Sequence, residues 1–209
     1  MRAAVLAASI ATAGPYDHQR MTSGSVSGLE TERLLIRPWQ LKEAARMYDL
    51  YRRDDVVRWL GAPPMASQDQ AVAMIRRNQE RLTADPTYGS WAIIRRDTGV
   101  PVGSIILKPL PNGNGEVEIG WQLHPDSQGH GYATEAASAV LHVALRRGLA
   151  EVWAVTMLDN EPSTRVCERI GMRLLGVTER WYDQPSLMFW MGANARQQPS
   201  VVADRPADR

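Results

Sequence analysis

Gln128-Gly129-His130-Gly131-Tyr132-Ala133 sets two glycines one residue apart, directly ahead of an amphipathic run. In that run Ala133, Ala136, Ala137, Val140, Leu141, Ala144 and Leu145 recur at three- and four-residue steps, and Gly148 stands where such a helix would stop. The first N–H groups of a helix have no intrahelical acceptor and lie at the positive end of its dipole. Glycine has no Cβ, so a bulky anion can approach those groups closely. The chemistry this pattern suits is the holding of a phosphate, and the plainer alternative is a turn that enters through glycine. It is neither of the two common phosphate loops. No Gly-Lys-Ser/Thr follows, and the spacing is not G-x-G-x-x-G.

The elements around the loop narrow the choice. Val117, Ile119, Trp121 and Leu123 alternate with Glu116, Glu118, Gly120 and Gln122, which predicts a strand with one apolar face and two carboxylates on the other. After the long helix, Val152 to Met157 reads as a buried strand. Asn160 or Glu161 then leads a helix with Pro162 in its first turn and Gly171 at its end.

This order of strand, Q-x-x-G-x-A loop, long helix, strand and Asn-led helix ending in Ile170-Gly171-Met172 resembles the GNAT superfamily of acyl-CoA N-acyltransferases, from about Leu29 to Met191. The start LETERLLIRPWQ and the run HPDSQGHGYATEA are similar to the ribosomal-protein N-terminal acetyltransferase branch. The resemblance implies an N-acetyltransferase with acetyl-CoA as cosubstrate and no metal. The acceptor would be a primary amine, on a protein N-terminus or a small molecule, attacking the thioester directly. In that reading the backbone N–H groups from Gly129 through His130, Gly131 and Tyr132 to Ala133, with Thr134 beside them, hold the pyrophosphate. Gln128 supports the turn, and the His130 side chain faces solvent. The pantetheine arm runs along Trp121, Gln122 and Leu123, and an N–H near Gln122 or Leu123 stabilises the tetrahedral oxyanion.

Two proton transfers remain. An alkylamine with a pKa near ~10.4 is mostly charged at neutral pH and must lose a proton before it attacks. Glu118 matches the strand glutamate that several family members use as a base through water; otherwise it is a solvated or substrate-orienting carboxylate. Asp126 and His124 stand as alternatives. The leaving thiolate needs a donor. The position where many family members carry a tyrosine is Cys167 here, which reads as a small buried hydrophobe. Ser163 matches the serine used near the sulfur in the ribosomal-protein branch, and it reads equally as a helix cap. Asn160 would hydrogen-bond the pantetheine arm or cap the helix. For the acceptor, Trp59 and Trp181 lie in loop-like stretches and are expected to line the cleft, among the aromatic residues Trp39, Tyr48, Tyr51, Tyr182 and Trp190.

The whole chain bounds these roles. A length of 209 residues suits one domain, and 44% apolar with 22% charged residues is ordinary for a soluble protein. A net charge of +1 gives no bulk attraction to nucleic acid or membrane, and a single cysteine excludes a disulfide framework and a cysteine zinc site. A cytoplasmic location follows from the metabolite that the family uses, and a homodimer is compatible with related folds. Residues 1–28 are expected to form a flexible extension, with an Ala-rich start that superficially resembles a secretory signal and with Met21 as an alternative start. Residues 29–193 form the domain, and 194–209 a disordered tail.

The fold class expected is α/β, with a mixed, mostly antiparallel central sheet of about seven strands, splayed in the middle and flanked by about four helices. Its strands are predicted near Leu34–Pro38, Ser90–Arg95, Val102–Leu107, Val117–Leu123, Val152–Met157, Leu174–Glu179 and Leu187–Met191. Helices are predicted at Leu41–Arg52 and at Ser67–Ala84, the latter with Ala71, Met74, Ile75 and Leu82 inward, besides the two already given. A non-catalytic acyl-CoA-binding module of the same fold is the second reading. A DNA-binding regulator is disfavoured by the absence of a basic patch with a reading helix.

Overall fold

The computed structural model describes residues 26–194 and 198–200. The expectations for residues 1–25, including the signal-like start and Met21, and for most of the C-terminal tail lie outside the described residues. Val26–Gly28 belong to the packed structure. Val26 is 3% exposed within the core, and the Gly28 N–H donates to the Ile36 carbonyl. At the other end, the Ser200 N–H donates to the Glu151 carboxylate.

The chain forms an eight-stranded sheet in the order β1-β2-β3-β4-β5-β6-β8-β7. The strands are β1 (Leu29–Glu30), β2 (Leu34–Pro38), β3 (Gly89–Arg95), β4 (Pro101–Pro109), β5 (Val117–Leu123), β6 (Glu151–Met157), β7 (Arg173–Thr178) and β8 (Ser186–Gly192). Five α-helices accompany them among the described residues: α1 (Ala44–Tyr51), α2 (Asp54–Val57), α3 (Gln68–Ala84), α4 (Tyr132–Arg146) and α5 (Glu161–Arg169). The expected seven strands and four helices thus become eight and five. The additions are the two-residue β1 and the four-residue α2, both too short for a hydrophobic period to register. No described helix is long and apolar enough to cross a membrane.

Only one neighbouring pair in the sheet is parallel, β5 with β6, and it is the weak point. β4 and β5 pair along the whole of Val117–Leu123, whereas β5 meets β6 at Glu118↔Trp153 alone. Both strands run the same way from that point, so they separate towards their C-terminal ends. Backbone groups on the facing edges of Gly120–Leu123 and Val155–Met157 are left without strand partners there, and buried backbone groups need some partner.

Layers on both faces fix the strands. The Ala133, Ala136, Ala137, Val140, Leu141 and Ala144 side of α4 is buried against one face, its alanines letting the helix lie close to β5. α1 and α3 cover β3 and β4 on the other face through Met47, Leu50, Ala71 and Ile75 around Trp39. Met74, expected inward on α3, is 36% exposed, because Ala71 and Ile75 define the buried stripe four residues apart. A third cluster of Leu110, Trp153, Trp181, Met188 and Trp190 closes that face over β6 and β8.

Candidate active site

A cleft of about 600 Å³ runs from the glycine turn, through the gap between β5 and β6, to the face covered by α2 and the β7–β8 loop. Its walls bring together residues far apart in the chain: Gly129, Gly131, Ala133 and Thr134, the whole of Glu118–Leu123, Asn160 and Ser163, and Trp59.

At the loop end, the backbone turns through two left-handed residues. Gly129 has φ 80° and Gly131, the N-cap of α4, has φ 79°. No side chain caps the helix, so the N–H groups of its first turn remain available to a ligand. The Gln128 side-chain amide donates to the Leu123 carbonyl at 3.2 Å, tying the loop to the end of β5. His130 is exposed and stacks on Tyr132, with ring centroids 5.6 Å apart. The back of the loop is held by residues the sequence reading did not reach. Arg33 Nη1 donates to the His130 carbonyl at 3.0 Å while its Nε donates to Glu135 at 2.7 Å. The same Glu135 carboxylate accepts from the Thr31 hydroxyl and the Arg33 N–H. With its carbonyl drawn towards Arg33, the planar His130–Gly131 peptide directs its N–H the opposite way. No local period marks a pair 102 residues apart.

In the middle, Asn160 caps α5. Its Oδ1 accepts from the Ser163 N–H at 3.2 Å, which leaves the amide NH2 for a ligand. Ser163 is half-buried on the cleft wall, at the positive end of α5. Two helix N-termini therefore face the gap, one from each side of the splay. Cys167 lies in the core at 0% exposure, and burial pushes its thiol up to about 12. A thiol-reactive chromogenic reagent is expected to leave Cys167 unmodified in the folded protein and to titrate it only in denaturant; rapid reaction without denaturant would contradict this burial.

At the far end, Glu118 does not face solvent. It is 6% exposed, because the polar face of β5 is covered by the layer that includes α1, α2 and the β7–β8 loop. The register sets Lys108 of β4 directly opposite it, and their charged atoms lie 3.4 Å apart. The Tyr182 hydroxyl donates to Glu118 Oε2 and accepts from Lys108 Nζ at 3.0 Å. Burial, and then the charge of Glu118, raise the Tyr182 phenol far above its ordinary value.

Several expectations change here. Trp181 does not line the cleft. It is 1% exposed and packs edge-on against Trp153 at 5.2 Å, so it anchors the loop that carries Tyr182. Trp59 does line the cleft, under the guanidinium of Arg58 at 4.4 Å. Glu116 lies just before β5 and accepts from the Asn114 N–H of the hairpin turn, with Arg180 at 3.4 Å, so it braces the turn. His124 is held between Asp49 and Asp126, each at 2.8 Å, and joins α1 to the end of β5 away from the cleft. Its hydrogen bond, followed by that from Arg52, holds the Asp49 carboxyl well below the usual range. Asp126 is similarly depressed, first by Arg46. The Gln122 side chain accepts from the Tyr51 hydroxyl at 3.0 Å, and its backbone pairs with Ser104 of β4, so the backbone groups of Trp121 and Leu123 are the ones that face the cleft. No group of three potential metal ligands occurs among the described residues.

Residues 33–173 match the family model described as an acetyltransferase (GNAT) domain. The matched model is that of the domain as a whole and does not assign the ribosomal-protein branch. An uncharacterised N-acetyltransferase of Bacillus subtilis, YoaA, is 31% identical over 75% of this chain and 88% of its own length. Among solved structures, an acetyltransferase from Agrobacterium tumefaciens is 26% identical with a TM-score of 0.67, covering 81% of this chain and 96% of that one. A spermidine N-acetyltransferase from Vibrio cholerae, solved with CoA and spermine, shares the fold at 13% identity and a TM-score of 0.63, over 78% of this chain and 97% of its own.

Proposed function

Because the chain belongs to the GNAT acetyltransferase family, we propose that it transfers an acetyl group from acetyl-CoA to a primary amine, on a protein N-terminus or a small molecule. The observation that carries this reading is the continuity of one cleft from an uncapped helix N-terminus to a buried carboxylate. Glu118, buried at the far end of that cleft, is placed where an acceptor amine would have to lose its proton.

The residues divide the work as follows. The N–H groups of the Gly129–Thr134 turn take the pyrophosphate, and the unpartnered edge of Gly120–Leu123 takes the pantetheine amides as an added strand would. The Asn160 amide donates to the same arm. Glu118 accepts, through water, the proton that the ammonium form of the acceptor must lose. The amine nitrogen then attacks the thioester carbonyl, and of the two expected donors the Leu123 backbone N–H, which lies on the edge of β5 turned from β4, stabilises the oxyanion. As the C–S bond breaks, Ser163 delivers its hydroxyl proton to the thiolate, and the second proton of the attacking nitrogen restores that hydroxyl. The products are the N-acetyl amine, the free thiol and one proton released to solvent. Trp59 and its neighbours form the acceptor wall.

Arg33 acts behind the loop. Arg33→Met is expected to weaken acetyl-CoA binding about tenfold by releasing the His130 carbonyl, a loss on the order of one charge-assisted hydrogen bond. Calorimetric titration measures it, and an affinity equal to that of the wild type would remove Arg33 from the loop's support. The proposal as a whole is tested by thiol release from acetyl-CoA in the presence of a peptide with a free α-amine, spermidine and a short alkylamine. Saturable binding without turnover on any of them would favour the binding module instead.

A further inference from the structure

Glu118 uses only one of its two oxygens within the protein. Oε2 accepts from the Tyr182 hydroxyl and lies 3.4 Å from Lys108 Nζ, whereas Oε1 receives no donor among the described residues. The three groups come from β4, β5 and the β7–β8 loop; the Glu118 side chain is nearly closed to water at 8% exposure, and that of Lys108 is partly covered at 28%. Cross-strand register alone would place Lys108 against Glu118, but it would leave both carboxylate oxygens free to rotate. The phenol between them adds a second, directed bond, and its position is set by Trp181, locked under Trp153. The other charged groups on this part of the cleft are Asp55 and Arg58, both exposed, while Arg180 is engaged with Glu116.

We propose that Tyr182 and Lys108 are positioning residues for the transfer reaction, pinning Oε2 of Glu118 so that Oε1 is the oxygen that faces the acceptor and takes its proton through water. This rests on the transferase reading given above. Tyr182 contributes no proton of its own: its hydrogen stays on the phenol, shared with Oε2, throughout the step. Lys108 keeps the phenol oxygen as an acceptor and so directs the phenol hydrogen at Glu118. Both residues act through Glu118, and their effects should vanish when Glu118 cannot serve as a base.

The test is a double-mutant cycle on the full chain, with thiol release measured against a peptide bearing a free α-amine, spermidine and a short alkylamine. Tyr182→Phe is expected to lower kcat about tenfold with acetyl-CoA affinity unchanged, since one directed hydrogen bond is lost far from the coenzyme loop. Lys108→Met should do the same, and Lys108→Arg should recover most of the rate. In the Glu118→Gln background, Tyr182→Phe should cost nothing further. Losses that multiply in that background, or a Tyr182→Phe enzyme as fast as the wild type, would overturn the inference and leave the transferase reading standing. A wild type that binds acetyl-CoA and acetylates none of the three amines overturns both. Should Tyr182→Phe fail to bind acetyl-CoA, the Lys108 pair carries the same cycle.

Discussion

Glu118→Gln is expected to lower kcat for amine acetylation by roughly 10²–10⁴-fold, the range over which a positioned general base contributes, with acetyl-CoA affinity unchanged. Glutamine keeps the shape of the side chain and can still accept from Tyr182, so the fold of β5 has no reason to change. What it loses is the ability to hold a proton at Oε1. Glu118 is the one cleft-lining carboxylate buried against that loss. Asp55 is exposed, Glu116 serves the hairpin turn, and the aspartates around His124 serve the α1 contact. Steady-state rates with saturating acetyl-CoA, alongside a calorimetric affinity, separate the two quantities. A rate within threefold or so of the wild type would return Glu118 to an orienting role, since the low end of general-base effects lies far above that.

The second large effect falls at the opposite end of the cleft. Gly131→Trp should abolish measurable acetyl-CoA binding, a loss of at least about a hundredfold for a group that anchors the pyrophosphate. Two causes add. At φ 79° any side chain is strained, by roughly 1–2 kcal/mol for an L-residue in the left-handed region. The new Cβ would also stand 3.5 Å from Arg33 Nη2, and the indole beyond it would be thrust across the N–H groups of the turn or into the Arg33–Glu135 clamp. Circular dichroism would show the fold retained, because the loop carries little of the core. Binding at wild-type strength would mean that the coenzyme's phosphates are held elsewhere.

Sequence reading reached these two ends with unequal success, for reasons that lie in the range of the interactions. The strand Val117–Leu123, the Asn160 cap with Pro162 behind it and the glycine turn into α4 are local patterns, and they stand where their periods and caps placed them. The sheet's splay also agrees with expectation, though only the family resemblance could supply it. What stayed hidden depends on distant partners. The alternation in β5 marks Glu118 as the polar face, but only the layer over that face makes it a buried carboxylate. Trp181 and Tyr182 are adjacent aromatic residues in one loop, and nothing local says which turns inwards. Trp153 and Met188, from two other strands, take Trp181 into the core and leave Tyr182 to reach Glu118. The same holds for Arg33, whose role appears only once Glu135 is brought across to it.

The measurement that tests the central claim most directly is mass spectrometry of the amine acceptors after incubation with the protein and acetyl-CoA, coupled to a count of thiol released. The account predicts an acetylated amine appearing in equal amount with free thiol, and neither product with Glu118→Gln on the same timescale. Thiol released without an acetylated amine, or acetylated amine formed as fast without the protein, would contradict it.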